Sequence, residues 1–91
     1  MYTIISHPLR KAMNLSISEY AVLDSIYHQV FYSSGNRTFS VIYISDELSL
    51  TKQGIYKIIE RLFNKGFLIK IKDKTMPSVL TIKLMKGVQN G

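Results

Sequence analysis

The chain of 91 residues carries 12 Lys and Arg against 6 Asp and Glu, a formal net charge of +6, with 46% apolar residues, 20% charged residues and no cysteine. That length holds one domain with a modest core, and the apolar share excludes a disordered chain. Without cysteine there is no disulfide framework, no thiolate zinc site and no cysteine nucleophile. The longest charge-free stretch, Ser25 to Asn36, falls well short of the roughly 20 apolar residues of a membrane-spanning helix. The amino terminus has neither the basic start nor the apolar run of a signal peptide, so a cytoplasmic location is expected.

The positive charge is concentrated. Residues 52–86 hold nine bases and two acids, and the rest of the chain holds three bases and four acids. A basic end beside a near-neutral one suits a polyanion, with nucleic acid ahead of an anionic membrane surface.

In chain order, residues 1–15 form an amino-terminal segment. Tyr2–Ile5 alternates briefly, as a short edge strand would, and Pro8 fits the first turn of a short helix that Asn14 ends. A firm helix opens at Ser16, where Ser16-Ile-Ser-Glu19 is a capping box and Leu15 and Tyr20 are placed as a hydrophobic staple. Tyr20, Leu23, Ile26, Tyr27, Val30 and Phe31 then recur at helical spacing, which leaves Val22 and Tyr32 on the solvent side. Ser33–Asn36 stops this helix, and Thr38–Ser40 has the make-up of a short strand.

Ser40 is an N-cap for a helix over 41–49, although Val41–Ile44 alone also fits a strand. The segment that follows decides for helix. Thr51 caps a further helix over 52–65, with Leu50 and Ile55 as its staple and Ile55, Ile58, Ile59, Leu62 and Phe63 as its inner face. Lys65 suits the helix dipole, Gly66 suits a left-handed stop, and Phe67 is set to meet Leu62 across that stop. From Phe67 the period becomes 2. Phe67, Ile69 and Ile71 read as the inner face of a strand, 73–78 as a turn, and Leu80, Ile82 and Leu84 as the returning strand. Residues 87–91 read as a flexible tail. The fold class is therefore mostly α with a β-hairpin, three core helices plus a small antiparallel sheet.

Small Ser45 between apolar Ile44, Leu48, Leu50, Ile55 and Ile58 is the pattern that packs two short helices at a steep angle. Residues 44–68, with the exit Leu62-x-x-Lys-Gly-Phe-Leu68 into a basic hairpin, resemble the winged helix-turn-helix superfamily, and within it the MarR-like regulators. The resemblance extends over 16–86. Ser49 stands where that family commonly has glycine, and the long flanking helices of MarR-like proteins have no counterpart in this reading. The segment from Asn14 to Tyr27 is also similar to winged helices of phage and plasmid replication proteins. The resemblance implies a sequence-specific double-stranded DNA-binding protein, with the recognition helix 52–65 in the major groove and the wing 67–84 on the flanking backbone. Thr51, Lys52, Gln53, Tyr56 and Lys57 would be its recognition-helix contacts, and Lys70, Lys72, Lys74 and Lys83 its wing contacts. A small transcriptional regulator is the expected role. A replication or conjugation module and a protein–protein interaction domain are the alternatives.

Catalysis finds no support in the sequence. Five scattered glycines make no phosphate loop, and Asp24 with His28, at i and i+4, reads as a solvated pair rather than a metal site. No cofactor, metal or small-molecule ligand is expected. A weak homodimer through Tyr2–Ile5 or the face around Val22 and Tyr32 is.

Overall fold

Each helix of this protein starts where a serine or threonine oxygen takes up an amide that the helix itself leaves unpaired. The computed structural model describes residues 6–32 and 38–90, with the backbone alone for 87–90. Among these, the order is α1 (His7–Ala12), α2 (Ile17–Tyr32), α3 (Val41–Leu48), α4 (Lys52–Asn64), β1 (Leu68–Ile71), β2 (Lys74–Pro77) and α5 (Val79–Asn90). The protein is mostly helical with a two-stranded antiparallel sheet, an α+β arrangement.

Ser6, Ser16, Ser40, Thr51 and Ser78 are the starting caps, with hydroxyls 3.1–3.4 Å from the amides of Leu9, Glu19, Tyr43, Gly54 and Thr81. At α2 the box is complete, because the Ser16 N–H donates back to Glu19 Oε1 at 2.8 Å. The ends of α1, α3 and α4 also share one device. Asn14, Ser49 and Gly66 adopt the left-handed conformation at φ 58, 56 and 83°. After each, the next amide donates to the carbonyl five residues back: Leu15 to Arg10, Leu50 to Ser45, and Phe67 to Leu62. This closure turns an apolar side chain inward after the last turn, and Leu15 and Phe67 are buried.

Three residue types do one job at unequal cost, since a side chain in this conformation is strained and glycine is not. Ser49→Gly is therefore expected to raise stability by about 0.5 kcal/mol, after the extra freedom of the unfolded chain is subtracted. Gly66→Ala is expected to lower it by about 1 kcal/mol. Thermal unfolding reads both, and shifts of the same sign would mean that these stops do not govern the helix ends.

Helix α2 is the spine. Tyr20, Val22, Leu23, Ile26, Tyr27 and Val30 are all at most 3% exposed, because α3, α4 and β2 pack around the helix. The expected one-sided stripe is thus corrected: Val22 is at 0% and Phe31 is exposed. Val22 cannot serve as a dimer surface, whereas Tyr32 stays exposed. The suggested edge strand Tyr2–Ile5 and the stop Ser33–Asn36 lie outside the described residues. Thr38–Ser40 pairs with no strand among the described residues, and the Ser40 N–H donates to Gln29 Oε1 at 2.8 Å.

The carboxyl-terminal part departs from expectation. The hairpin spans 68–77 rather than 67–84, and 79–90 is helix, through residues read as a tail. Leu80, Ile82 and Leu84 do alternate, but Thr81 and Met85, one helical turn apart, are the side chains that become buried. The Phe67 carbonyl draws this helix in, accepting from the Ser78 N–H at 3.0 Å and the Thr81 hydroxyl at 2.7 Å.

The hairpin differs as well. Phe67 belongs to the stop of α4 and Leu68 after it is also buried, but Ile69, Lys70 and Ile71 are all exposed, so the strand has no inside–outside alternation. Ile69 and Ile71, expected inside, are 38% and 50% exposed. Ile71 pairs with Lys74 across a two-residue turn, in which Lys72 and Asp73 both have positive φ. That is the turn whose twist matches a hairpin. No described helix is long and apolar enough to cross a membrane.

Candidate nucleic-acid interface

Helix α4 is held by its inner face. Ile55, Ile58 and Leu62 are buried, and Ile59 and Phe63 are packed against the same core. With that face on α2 and α3, the other is committed to solvent: Lys52, Gln53, Tyr56, Lys57, Glu60 and Arg61 are exposed. Thr51, also exposed, precedes them as the cap. The five positions expected as recognition contacts, Thr51, Lys52, Gln53, Tyr56 and Lys57, therefore share one surface at the start of the helix.

The turn into α4 is only three residues long and is fixed by Ser45, whose hydroxyl donates to the Leu50 carbonyl at 2.6 Å. That bond explains a small polar residue at the contact between α3 and α4. Close packing on α3 does not account for Gly54. A Cβ there would lie 3.1 Å from Thr51 Oγ1 and within 4 Å of no α3 atom.

The hairpin follows α4 directly, and β1 packs on that helix. Lys70, Lys72 and Lys74 are exposed on it. Lys83 is not part of this group, because it sits on α5. Among the described residues, none of Lys52, Lys57, Lys70, Lys72 and Lys74 lies within 4.0 Å of a carboxylate; the ion pairs are Asp24–His28 and Glu19–Lys65. Unpaired lysines on a rigid helix and a tight hairpin are available to phosphate oxygens. A shallow groove of about 230 Å³ borders the hairpin tip, lined by Thr38, Phe39, Asp73, Lys74 and Thr75.

Lys65 is committed elsewhere, a role its sequence position did not reveal. Its ammonium donates to the Asn14 carbonyl at 2.7 Å and reaches Glu19 Oε1 at 3.5 Å, which ties the end of α4 to the start of α2. Burial pushes the Glu19 carboxyl up, but the Ser16 amide, the Lys65 charge and the Ser16 hydroxyl together outweigh it and hold the group below its ordinary value. A carboxyl lowered in the folded state stabilises at pH values above its unfolded pKa, and that contribution disappears as pH falls through the folded one. Glu19→Gln is thus expected to cost about 1 kcal/mol at neutral pH and less in acid, as pH falls through the folded-state pKa and the wild-type carboxyl takes up its proton. Thermal midpoints at neutral and at acid pH measure this; an equal loss at both would leave the charge without a part.

Asp24 has the opposite sign. Burial dominates over the attraction of His28, whose Nε2 is 3.4 Å away, and holds Asp24 above its ordinary value. The pair is therefore not the solvated one expected, since the Asp24 side chain is only 12% exposed. Tyr27 beside it is pushed up to about 12 by burial, with Tyr32 and Asp24 adding to the effect.

No family model, no curated protein and no solved structure matches this chain.

Proposed function

We propose that this chain is a winged helix-turn-helix protein that binds double-stranded DNA and acts as a small cytoplasmic transcriptional regulator. In this reading α3 and α4 are the helix pair, α4 enters the major groove, and β1–β2 is a short wing on the flanking backbone. One observation carries it: the outward face of α4 and the adjoining hairpin present five lysines that no described carboxylate neutralises. The chain extends at most 28 Å, about eight base pairs at 3.4 Å each, which fits one half-site.

The roles within that surface differ. Gln53 can pair bidentately with the major-groove edge of an adenine, donating to N7 and accepting from the N6 amino group, and Lys57 can donate to guanine. Lys72 and Lys74, on the hairpin, suit phosphates, which position without specifying sequence. Lys83 has no part in this proposal. Selection of preferred duplexes from a random pool, followed by titration of four variants, tests the division. Gln53→Ala and Lys57→Ala are expected to lose about 1–3 kcal/mol of preference for the selected site. Lys72→Ala and Lys74→Ala are expected to weaken selected and random DNA alike. If the pool yields no preferred sequence, α4 reads no bases and regulation at defined sites is ruled out.

A further inference from the structure

The hairpin carries apolar side chains in a place where burial does not account for them. Ile69, Ile71, Lys74 and Met76 share one face by the register Ile69–Met76 and Ile71–Lys74. Ile69 and Ile71 are 38% and 50% exposed there, and Met76 beside them is half-buried against the core. Single exposed apolar residues are ordinary. Two on one strand face, with Lys74 on the same face and Lys72 in the turn beyond it, make a short apolar strip edged with cations that no described carboxylate pairs.

Charge complementarity names the occupant. The minor groove of DNA has walls of sugar C–H groups, which are apolar, and rims of phosphates, which are anionic. A strip of isoleucine bordered by lysine matches both. The fit is not passive. Paired strands lie about 4.8 Å apart before any side chain is added, and an undeformed minor groove is only about 6 Å wide. A hairpin that enters must open the groove, and apolar side chains pressed against a base step do so by partly unstacking it.

We propose that the Ile69/Ile71 face of the hairpin is an apolar wedge that opens the minor groove beside the α4 site and bends the duplex. Specificity then extends to positions that no side chain hydrogen-bonds, through the ease with which the sequence deforms. This proposal rests on the DNA-binding reading above.

The test uses the full chain and duplexes of about 24 base pairs labelled at both ends for energy transfer. One carries a TA or CA/TG step beside the preferred site and the other a stiff A-tract. The wild-type protein is expected to bend the flexible duplex by about 20–90° and to bind it about tenfold more tightly than the stiff one. Ile71→Ala and Ile71→Ser are expected to reduce the bend and to bring the two affinities within about twofold, with the salt dependence unchanged. Lys72→Ala is the converse control and is expected to lower the salt slope by about 1 while the bend persists. The half-exposed position of Ile71 leaves folding intact, and Ile69→Ala, checked by its thermal midpoint, provides a second variant.

A duplex bound tightly but straight overturns the wedge and leaves DNA binding standing. So does a bend indifferent to Ile69 and Ile71. A change in the sedimentation of the free protein with no change in bend would assign the strip to contact with another protein chain. Absence of binding to any duplex removes the DNA-binding reading and the wedge together.

Discussion

Replacing Ile55 with alanine is expected to cost about 2–5 kcal/mol, the range for truncating a fully buried aliphatic side chain that its neighbours cannot replace. Ile55 is at 0% exposure, at the point where the first turn of α4 meets the core. A chain of this size has roughly 5–14 kcal/mol of stability in all, so the change removes a large fraction of it. The thermal midpoint should fall by about 10–25 °C. Tyr56, the next residue, is 60% exposed, and Tyr56→Ala should leave the stability within about 0.5 kcal/mol of wild type. Adjacent positions thus separate the two faces of α4, with Ile55 read by unfolding and Tyr56 by DNA affinity at unchanged stability. A large loss of stability at Tyr56 would show that the helix is rotated from the placement described.

The second large effect is that of salt on DNA affinity. Lys52, Lys57, Lys70, Lys72 and Lys74 are exposed and without a carboxylate partner among the described residues. Lys65 is left out of this set because its ammonium is held by Asn14 and Glu19. Each phosphate neutralised releases condensed counterions, so five contacts give a slope of log K against log[salt] of about −4 to −5. Between 50 and 200 mM salt, affinity should fall by about 500-fold. Fluorescence anisotropy with one labelled duplex at four salt concentrations measures the slope. A value near zero would falsify the proposal that this face binds DNA. A slope near −6 would mean that Lys83 and Lys86 on α5 also reach the backbone, and that the DNA follows a longer path over the protein.

Much of the local structure was legible because its causes are local. A serine that caps a helix needs only an amide three residues on, so Ser16, Ser40 and Thr51 announce their helices whatever else the chain does. The same holds for Gly66, where the stop needs a positive φ and a following apolar residue. The inner face of α4 could be read because isoleucine, leucine and phenylalanine at helical spacing have one way to leave water together. The outward residues Thr51, Lys52, Gln53, Tyr56 and Lys57 follow from that face by exclusion.

What escaped sequence reading depends on partners far along the chain. Val22 is buried because three elements surround α2, which no periodicity within α2 can announce. Lys65 holds Asn14 and Glu19, about fifty residues away in sequence, and the sequence position suggested only a cation at a helix end. Residues 79–86 carry period-2 and i,i+4 patterns at once. The Phe67 carbonyl, satisfied by Ser78 and Thr81, is what favours helix, so Lys83 leaves the hairpin for α5. The outward turn of Ile69 and Ile71 has the same kind of origin. The closure of α4 claims Phe67, and beyond buried Leu68 the strand is exposed on both faces. Caps, stops and the inner face of α4 were therefore set by the sequence alone, through contacts within about five residues. The last helix, the exposure of the hairpin and the choice of lysines free to meet phosphate were decided by tertiary packing, because each depends on a group that only the folded chain brings near.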